Sequence, residues 1–364
     1  MNYWEYIRVE ELLSLQGGMA DDEASMSNDE VLFIVVHQVY ELWFKLVLRE
    51  LESARDLFHQ NPVPDMALAG ATRSFRRVTT IFRQAQKHFE VMETLTTRDY
   101  LGFRDSLIGA SGFQSAQLRE IEILLGLDET KRIPLGVEGS YKQALRRMDG
   151  GSSPALERVE KRLAKGPSLR EVVTAWLVRT PVSPEGPEAF LRQVVESHRS
   201  EANKRLAIVE ERMKLPESEL ALWRKRYDDE LVFAERFLLG EDDPEATPEQ
   251  RAERRAVRAA LVFLESYREL PRLAWPREAV DAIIEMEQAM VVWRQRHARM
   301  VERIIGRRTG TGGSAGVDYL DKTALTYRVF GDLWAVRTLL LPKVAVPHIP
   351  HADDFKFRVE DELP

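Results

Sequence analysis

The sequence predicts an all-α protein, a large helical domain built on a bundle of long helices. Two patterns carry this prediction. Apolar residues in nearly every long segment recur with the 3.6-residue period of an α-helix, and no segment shows a convincing alternation of β-branched residues. The chain has 364 residues, of which 44% are hydrophobic, and this is enough to bury a large core.

The first well-marked element is a helix predicted from about residue 29 to 60. Ser27 and Glu30 form the S-x-x-E pattern of a capping box at its start. Counting by threes and fours from there gives one stripe of side chains, namely Phe33, His37, Tyr40 or Glu41, and Phe44. His37 therefore points toward an interior or a pocket. On this segment alone, a core histidine satisfied by a backbone carbonyl is favoured over a functional one.

Further helices are separated by breaks that contain proline and glycine. Pro276 suits the first position of one of them. The predicted helices span about 66–95, 115–125, 187–213, 217–239, 249–269, 278–305 and 318–341. The segment 128–187 shows only short helical pieces such as 156–163 and is predicted to be a peripheral helical insertion within a single domain, 1–364.

Charge and cysteine content exclude several classes of protein. Lys and Arg number 52 against 59 Asp and Glu, so the net charge of -7 argues against a nucleic-acid-binding face. Cysteine is absent, which removes disulfides, thiolate metal sites and covalent haem attachment. The first twenty residues lack the pattern of a signal peptide, and no apolar run reaches eighteen residues. We therefore expect a cytoplasmic protein that does not enter a membrane.

Two of the seven histidines, His37 and His297, lie on strongly apolar helical stripes. The ring of His297 faces the surface built by Trp293, Met300 and Val301. No H-E-x-x-H or repeated E-x-x-H pattern is present, which disfavours a metal site built only from side chains. An interior histidine on each of two helices suits a non-covalent haem site, although many helical proteins bury two structural histidines.

Two further features suggest contacts to an anionic ligand. Arg104 lies four residues after Tyr100 and has the side chain best shaped to hold a carboxylate, although an arginine there is more often in a surface ion pair. The glycine-rich stretch 309–316 lacks the context of a nucleotide-binding loop. It is either a helix stop and connector or a mobile loop in which Thr311 closes over the ligand.

Together these segments resemble one family, tryptophan 2,3-dioxygenase, a haem enzyme that opens the indole ring of L-tryptophan. The resemblance runs from residue 3 to about 345, with the blocks in the order and spacing of the family. The matching blocks are Tyr3-x-x-Tyr6, Asp29-Glu30-x-Leu-Phe33-Ile-x-x-His37-Gln-x-Tyr-Glu-Leu-Trp-Phe-Lys45, Phe103-Arg104, Ser111-Gly-Phe-Gln-Ser115, Trp293-Arg-x-x-His297, Met300-Val301, Gly310-Thr311-Gly-Gly-Ser314 and Tyr319-Leu320.

The resemblance implies a pocket for haem b, with O2 as co-substrate and N-formyl-L-kynurenine as product. It makes His297 the iron ligand and His37 the group that accepts a hydrogen bond from the indole N–H. Arg104 and Thr311 would hold the carboxylate and ammonium end of the substrate. The implied pocket residues are Phe33, Tyr100 and Tyr6 around the indole, with Ser111 and Gly112 beside the haem. Tyr3 and Tyr6 would enter the site of a neighbouring subunit from the segment 1–27, which implies a homotetramer built as a dimer of dimers.

The sequence also departs from the family pattern. Asn28 stands where the family usually has His, and Val31, Glu302 and Ala315 replace other frequent residues. None of these has an assigned role, but they leave a second function open. That alternative is a related biosynthetic haem oxygenase that acts on a substituted tryptophan or indole and inserts one oxygen to give an oxindole. A non-catalytic helical scaffold or haem sensor is a third possibility.

Overall fold

Every regular element in the described part of the chain is helical, as the sequence predicts. The computed structural model describes residues 1–18, 21–107, 112–134, 139–147, 149–308, 316–349 and 352–355. Contacts between residues group the chain into two compact units. Unit 1 contains 1–56, 73–169 and 285–329, and unit 2 contains 57–72, 170–284 and 330–364. The single domain 1–364 stays a prediction.

The described residues contain fifteen α-helices, joined by short 3₁₀ turns and loops. In chain order they are α1 (Tyr3–Tyr6), α2 (Val9–Leu13), α3 (Asn28–Phe58), α4 (Asp65–Met92), α5 (Thr97–Phe103), α6 (Ala116–Leu125), α7 (Tyr141–Ala144), α8 (Pro154–Leu163), α9 (Leu169–Val178), α10 (Pro187–Met213), α11 (Glu217–Leu238), α12 (Pro248–Ser266), α13 (Ala274–Ile305), α14 (Val317–Thr326) and α15 (Gly331–Ala335).

Helix α3 begins where its capping residues predict. The hydroxyl of Ser27 accepts the backbone N–H of Glu30 at 3.2 Å. The carboxylate of Glu30 instead accepts the hydroxyl of Ser106 at 2.9 Å, which ties the turn after α5 to the start of α3. By length and composition α3 is long and apolar enough to span a membrane, a property that core helices of soluble proteins share. Its residues Val47 and Ala54 are fully buried in unit 1.

Helix α13 begins two residues earlier than Pro276 predicts, at Ala274. Pro276 is therefore its third residue rather than its first. The helix tolerates this because the first four backbone N–H groups have no partner within a helix, so the missing N–H of proline costs no hydrogen bond. From Glu285 onward α13 belongs to unit 1 and buries Met286, Ala289, Met290 and Trp293.

The prediction of a single helix over 318–341 is wrong. Helix α14 ends at Thr326, and α15 begins only at Gly331. Between them the backbone N–H of Val329 donates to the buried carboxylate of Glu287 at 2.6 Å, so that this N–H does not continue a helical ladder. The sequence does not reveal this break, because the break contains no proline and depends on a long-range hydrogen bond.

The segment 128–187 is more helical than the sequence indicates. Helix α8 was expected, but α9 was not. In unit 1, Leu156 and Val159 of α8 are buried in a hydrophobic cluster with Ala116 and Tyr319, so this part of the segment completes the core. The boundaries of the insertion and its peripheral position stay predictions.

Candidate active site

A cavity in unit 1 brings His37 and His297 together. It contains about 1100 Å³ of space between the atoms, its open mouth included, and the centre of a water molecule can reach about 180 Å³ of this. Most of the wall is apolar or aromatic. The lining residues are Phe33, His37, Met92, Tyr100, Gly112, Phe113, Leu118, Arg119, Trp293, Arg294, His297, Met300, Val301, Ile304, Ile305, Gly316, Tyr319, Leu320 and Thr323.

His37 reaches the cavity from α3 with a defined ring orientation. Its Nδ1 lies 2.7 Å from the backbone carbonyl of Phe33, one turn earlier. A carbonyl oxygen only accepts, so Nδ1 carries the proton and Nε2 of the neutral ring keeps its lone pair. Burial lowers the pKa of His37, against smaller opposing effects of the Phe33 carbonyl and the charge of Glu41. His37 is therefore a neutral hydrogen-bond acceptor near pH 7.

His297 reaches the same cavity from α13 and is held by aromatic rings. Its ring stacks on Phe89, with centroids 5.5 Å apart and planes at 10°, and on Trp293, with 5.6 Å and 19°. Burial, with smaller contributions from the neighbouring His37 and Arg294, lowers the pKa of His297 to about 4. Its ring nitrogens have no hydrogen-bond partner among the described residues, and its partly exposed surface faces the cavity. His297 thus offers a neutral nitrogen lone pair to a ligand.

Aromatic residues from α3 and α5 form another part of the wall. Phe33 lies 4.1 Å from the ring of His37, 6.1 Å from that of Tyr100 and 5.7 Å from that of Phe103. Arg104 follows α5 and forms a hydrogen bond with the side chain of Tyr100. Burial raises the pKa of Tyr100, and Arg104 partly opposes this effect. A half-buried guanidinium therefore lies beside a ring that lines the cavity.

Two cavity residues that the sequence analysis missed are Arg119 and Arg294, both buried. Each forms an ion pair with the buried carboxylate of Glu122, on α6. Charged residues in an amphipathic helix usually face solvent, and this is why the pattern gave no reason to select them. The available signal was the position of Arg294, three residues before His297 and thus near it on the same helix.

The structure brings together some of the predicted site residues. His37, Phe33, Tyr100, Gly112 and His297 all line the cavity, and Arg104 bonds to one of them. Ser111 and Thr311 lie outside the described residues. Tyr3 and Tyr6, on α1, are each 74% exposed and do not line this cavity within their own chain. The chemical roles assigned to all these residues remain predictions.

A larger cavity lies within unit 2, where the centre of a water molecule can reach about 950 Å³. Its wall includes Trp176, Phe190 and Leu264, with Arg179 and Arg272 among its charged residues. Neither His37 nor His297 belongs to it. Size alone would favour this cavity, but the two neutral histidines and the aromatic stacking favour the smaller one in unit 1 as the reactive site.

The low pKa of His297 predicts a pH dependence for the stability of the chain without bound ligand. The ordinary pKa of 6.5 falls to about 4 on folding, so the unfolded chain binds this proton first as the pH falls. This contribution to stability is complete above pH 6.5 and is lost as the pH falls toward 4. We expect the free energy of unfolding to fall by at most about 1.4 kcal/mol per pH unit for this one group.

Urea unfolding between pH 7 and 5 measures this slope. His297→Asn should unfold with a shallower dependence on pH than the wild-type chain. Comparing the two proteins cancels the contribution of carboxylates that titrate in both. Equal slopes for the two would contradict a depressed pKa at His297.

Comparison with known proteins identifies the family of the chain. The chain matches the family described as tryptophan 2,3-dioxygenase over residues 1–340. A tryptophan 2,3-dioxygenase of Sorangium cellulosum is 67% identical over 365 residues, which cover 99% of this chain and 88% of that protein. Tryptophan 2,3-dioxygenase 2 of Ralstonia nicotianae is 57% identical, covering 99% and 98%. The Xenopus laevis tryptophan 2,3-dioxygenase is 33% identical, covering 98% and 87%. The chain therefore belongs to the tryptophan 2,3-dioxygenase family of oxidoreductases.

Proposed function

We propose that the chain is a haem-dependent dioxygenase that cleaves the indole C2–C3 bond of L-tryptophan with O2 to give N-formyl-L-kynurenine. The observation that carries this proposal is the meeting of two neutral histidines, His37 and His297, in one largely apolar cavity. The names of the relatives support the substrate and the reaction, and they favour this function over the oxindole-forming alternative.

The residues of the cavity fit haem b, held without a covalent bond. Among the described residues, no group of three or more His, Asp or Glu side chains could hold a metal ion, so an iron bound to His297 would need further ligands from outside the chain. A tetrapyrrole supplies the four other nitrogens such an iron needs. His297 would bind the iron, and Met300, Val301 and Ile304 offer the apolar surface a porphyrin ring requires. When bound, ferrous haem supplies the binding and activation of O2.

The rest of the chemistry assigned to the chain is orientation. Nε2 of His37 is the free acceptor in the cavity and would take the hydrogen bond of the indole N–H. Phe33 and Tyr100 would pack against the indole ring and exclude water from it. These contacts would fix the position of the C2–C3 bond relative to O2. Part of the binding energy would thus be used to align the reacting atoms.

Arg104 and Thr311 are assigned to the amino-acid end of the substrate. A guanidinium binds a carboxylate through two parallel hydrogen bonds, and the contact of Arg104 with Tyr100 would hold it at the cavity. Ser111 and Gly112 would lie beside the haem. Tyr3 and Tyr6 would complete the site of a neighbouring subunit, for which their exposure in the single chain leaves them available.

The proposed assembly is a homotetramer in the cytoplasm, without nucleic acid or membrane as partner. The net charge of -7 supports the absence of nucleic acid. Large apolar side chains in α1, α2 and the turn between them are exposed in the isolated chain, and a neighbouring subunit would cover them. These side chains are Tyr3, Trp4, Tyr6, Ile7, Leu12 and Leu13.

Product mass after reaction with isotopically labelled O2 tests the function. The haem-loaded, reduced protein is given L-tryptophan and ¹⁸O2, and the product is analysed by mass spectrometry. Two labelled oxygen atoms in one product molecule are expected. One labelled atom would instead identify the oxindole-forming alternative, and unchanged tryptophan would overturn both.

Gly112 offers a test of the haem position that leaves the fold intact. A Cβ added at this residue meets no atom within 4 Å, although Gly112 lines the cavity. We expect Gly112→Leu to change the free energy of unfolding of the ligand-free chain by no more than about 0.5 kcal/mol, as at an exposed site. The same variant should bind haem at least tenfold more weakly, because the side chain fills space assigned to the porphyrin.

Haem titration followed by Soret absorbance, with urea unfolding in parallel, measures both effects. Gly102→Leu is the matched control, because a Cβ there also meets no atom within 4 Å and Gly102 does not line the cavity. Full haem affinity in Gly112→Leu would rule out a haem beside this residue.

A further inference from the structure

A buried cluster of charges lies beside the cavity and has no role in the proposed chemistry. At its centre, the carboxylate of Glu122 accepts hydrogen bonds from Arg119 at 2.9 Å, Arg132 at 2.8 Å and Arg294 at 2.6 Å. The side chain of Glu122 is 1% exposed, and those of the three arginines are 4–8% exposed. The arginine–glutamate cluster, as we call these four residues, joins α6 and α13 of unit 1.

The charges of the arginine–glutamate cluster do not balance. Three guanidiniums face one buried carboxylate, and the only other acid paired with the cluster in the described chain, Glu129, binds Arg132 from a side chain that is 51% exposed. Burial alone would raise the pKa of Glu122, but the three arginines outweigh this and hold that pKa well below its usual range. Glu122 is therefore charged, and the cluster carries excess positive charge in the interior.

The cluster also has more hydrogen-bond donors than acceptors. Arg119 Nε, Arg294 Nε and one terminal nitrogen of Arg132 are buried without a hydrogen-bond partner in the described residues. A buried cation that is incompletely paired is costly. A single Arg294–Glu122 pair would be enough to tie α13 to α6, so a structural tie does not explain the extra cations.

A second buried arginine network, in unit 2, shows the opposite ratio. There Arg258 alone pairs with two carboxylates, those of Asp242 and Asp332. This network in unit 2 thus carries no excess of positive charge. The excess is found in the cluster that lines the cavity through Arg119 and Arg294.

The cluster lies close to His297. Arg294 precedes His297 by three residues on α13, about one helical turn, and both side chains line the cavity. Positive charge in a medium of low dielectric constant disfavours any further positive charge nearby. Oxidation of an iron bound to His297 from ferrous to ferric adds one positive charge at the metal.

We propose that the positive charge of the arginine–glutamate cluster stabilises the ferrous state of a haem iron bound to His297. The ferrous state is the one that binds O2. This inference rests on the proposed function. Reduction potential is set partly by charge and burial around the haem. Glu122→Gln makes the cluster more positive and should raise the potential, whereas Arg294→Gln should lower it. A tenfold change in the ferrous-to-ferric equilibrium, which is 59 mV for one electron, is expected in each case.

Anaerobic spectroelectrochemical titration of the haem-loaded variants with dithionite tests this inference. Arg294→Lys keeps the charge and should stay near the wild-type potential. Arg296→Gln is the matched control for loss of one positive charge, because Arg296 directly precedes His297 but pairs with Glu93 and is 36% exposed. Solvent should screen that charge, so its loss should shift the potential much less.

Opposite shifts for Glu122→Gln and Arg294→Gln, both larger than that of Arg296→Gln, are the expected result. The inference is overturned if the potential shifts in the same direction in Glu122→Gln and Arg294→Gln. It is also overturned if Arg294→Lys shifts the potential as much as Arg294→Gln, because the shape of the side chain rather than its charge would then set the potential. If Arg294→Gln fails to fold, Arg132→Gln removes the same charge from the cluster and must lower the potential. A wild-type chain that binds no haem would defeat the proposed function itself, whereas unchanged potentials in haem-loaded variants defeat only this inference.

Discussion

Replacement of His297 by alanine is expected to abolish oxygenase activity and to weaken haem binding by at least about 100-fold. Loss of a residue that merely supports a metal ligand already costs 10- to 100-fold in metal affinity, and loss of the ligand itself should cost more. The ring lies against Phe89 and Trp293 with its nitrogens free of hydrogen bonds to the described residues. Truncation therefore removes the proposed ligand and leaves an apolar space.

Haem titration and activity assays of His297→Ala measure these losses, and added imidazole should partly reverse them by entering the vacated space. His59→Ala is the control, because His59 is exposed and lies outside the cavity. A His297→Ala protein that keeps full haem affinity and activity would favour the non-catalytic alternative, in which the histidines are structural.

The long helices could be predicted because local signals mark them. The start of α3 follows from Ser27, and the bounds of α10 are those the sequence predicts, 187–213. Failures occur where distant residues decide the local structure. The break after α14 depends on the bond between Val329 and Glu287, 42 residues apart in sequence, and no local pattern encodes it.

The candidate site was predictable to a similar degree and for related reasons. Helical periodicity alone put His37 and His297 on apolar faces, but only the family resemblance joined them in one site. On α3 alone a structural histidine was favoured. The bond to Phe33 does satisfy Nδ1 with a backbone carbonyl, as that interpretation requires, yet Nε2 stays available in the cavity. The structural contact thus orients the ring for the proposed role.

The arginine–glutamate cluster could not be found from sequence, because its residues are scattered over α6, α13 and the segment between α6 and α7. Nothing local distinguishes Arg119 or Arg132 from a surface arginine. Their burial results from tertiary packing, including the guanidinium of Arg132 over the ring of Tyr141 at 4.1 Å. The burial of charged residues is therefore the feature of this protein that the structure shows and the sequence does not.

Arg104→Ala is expected to weaken the binding of L-tryptophan by about 10- to 100-fold and to leave the binding of tryptamine nearly unchanged. Hydrogen bonds to charged groups contribute about 1.5–3 kcal/mol, and each 1.4 kcal/mol is a factor of ten in affinity. Tryptamine carries the same indole and ammonium groups but lacks the carboxylate, so the difference between the two ligands isolates the contact assigned to Arg104.

Equilibrium titration of the haem-loaded protein with each ligand measures both affinities. Because Arg104 also bonds to Tyr100, its removal could act through the displaced ring, and Tyr100→Phe is the matched control. That variant keeps the guanidinium and the aromatic ring but loses the hydroxyl, so it should preserve most of the preference for L-tryptophan over tryptamine. Arg104→Lys keeps the charge without the two parallel hydrogen bonds and should fall between the wild type and Arg104→Ala. Equal losses for both ligands in Arg104→Ala would show that Arg104 shapes the pocket rather than binding the carboxylate.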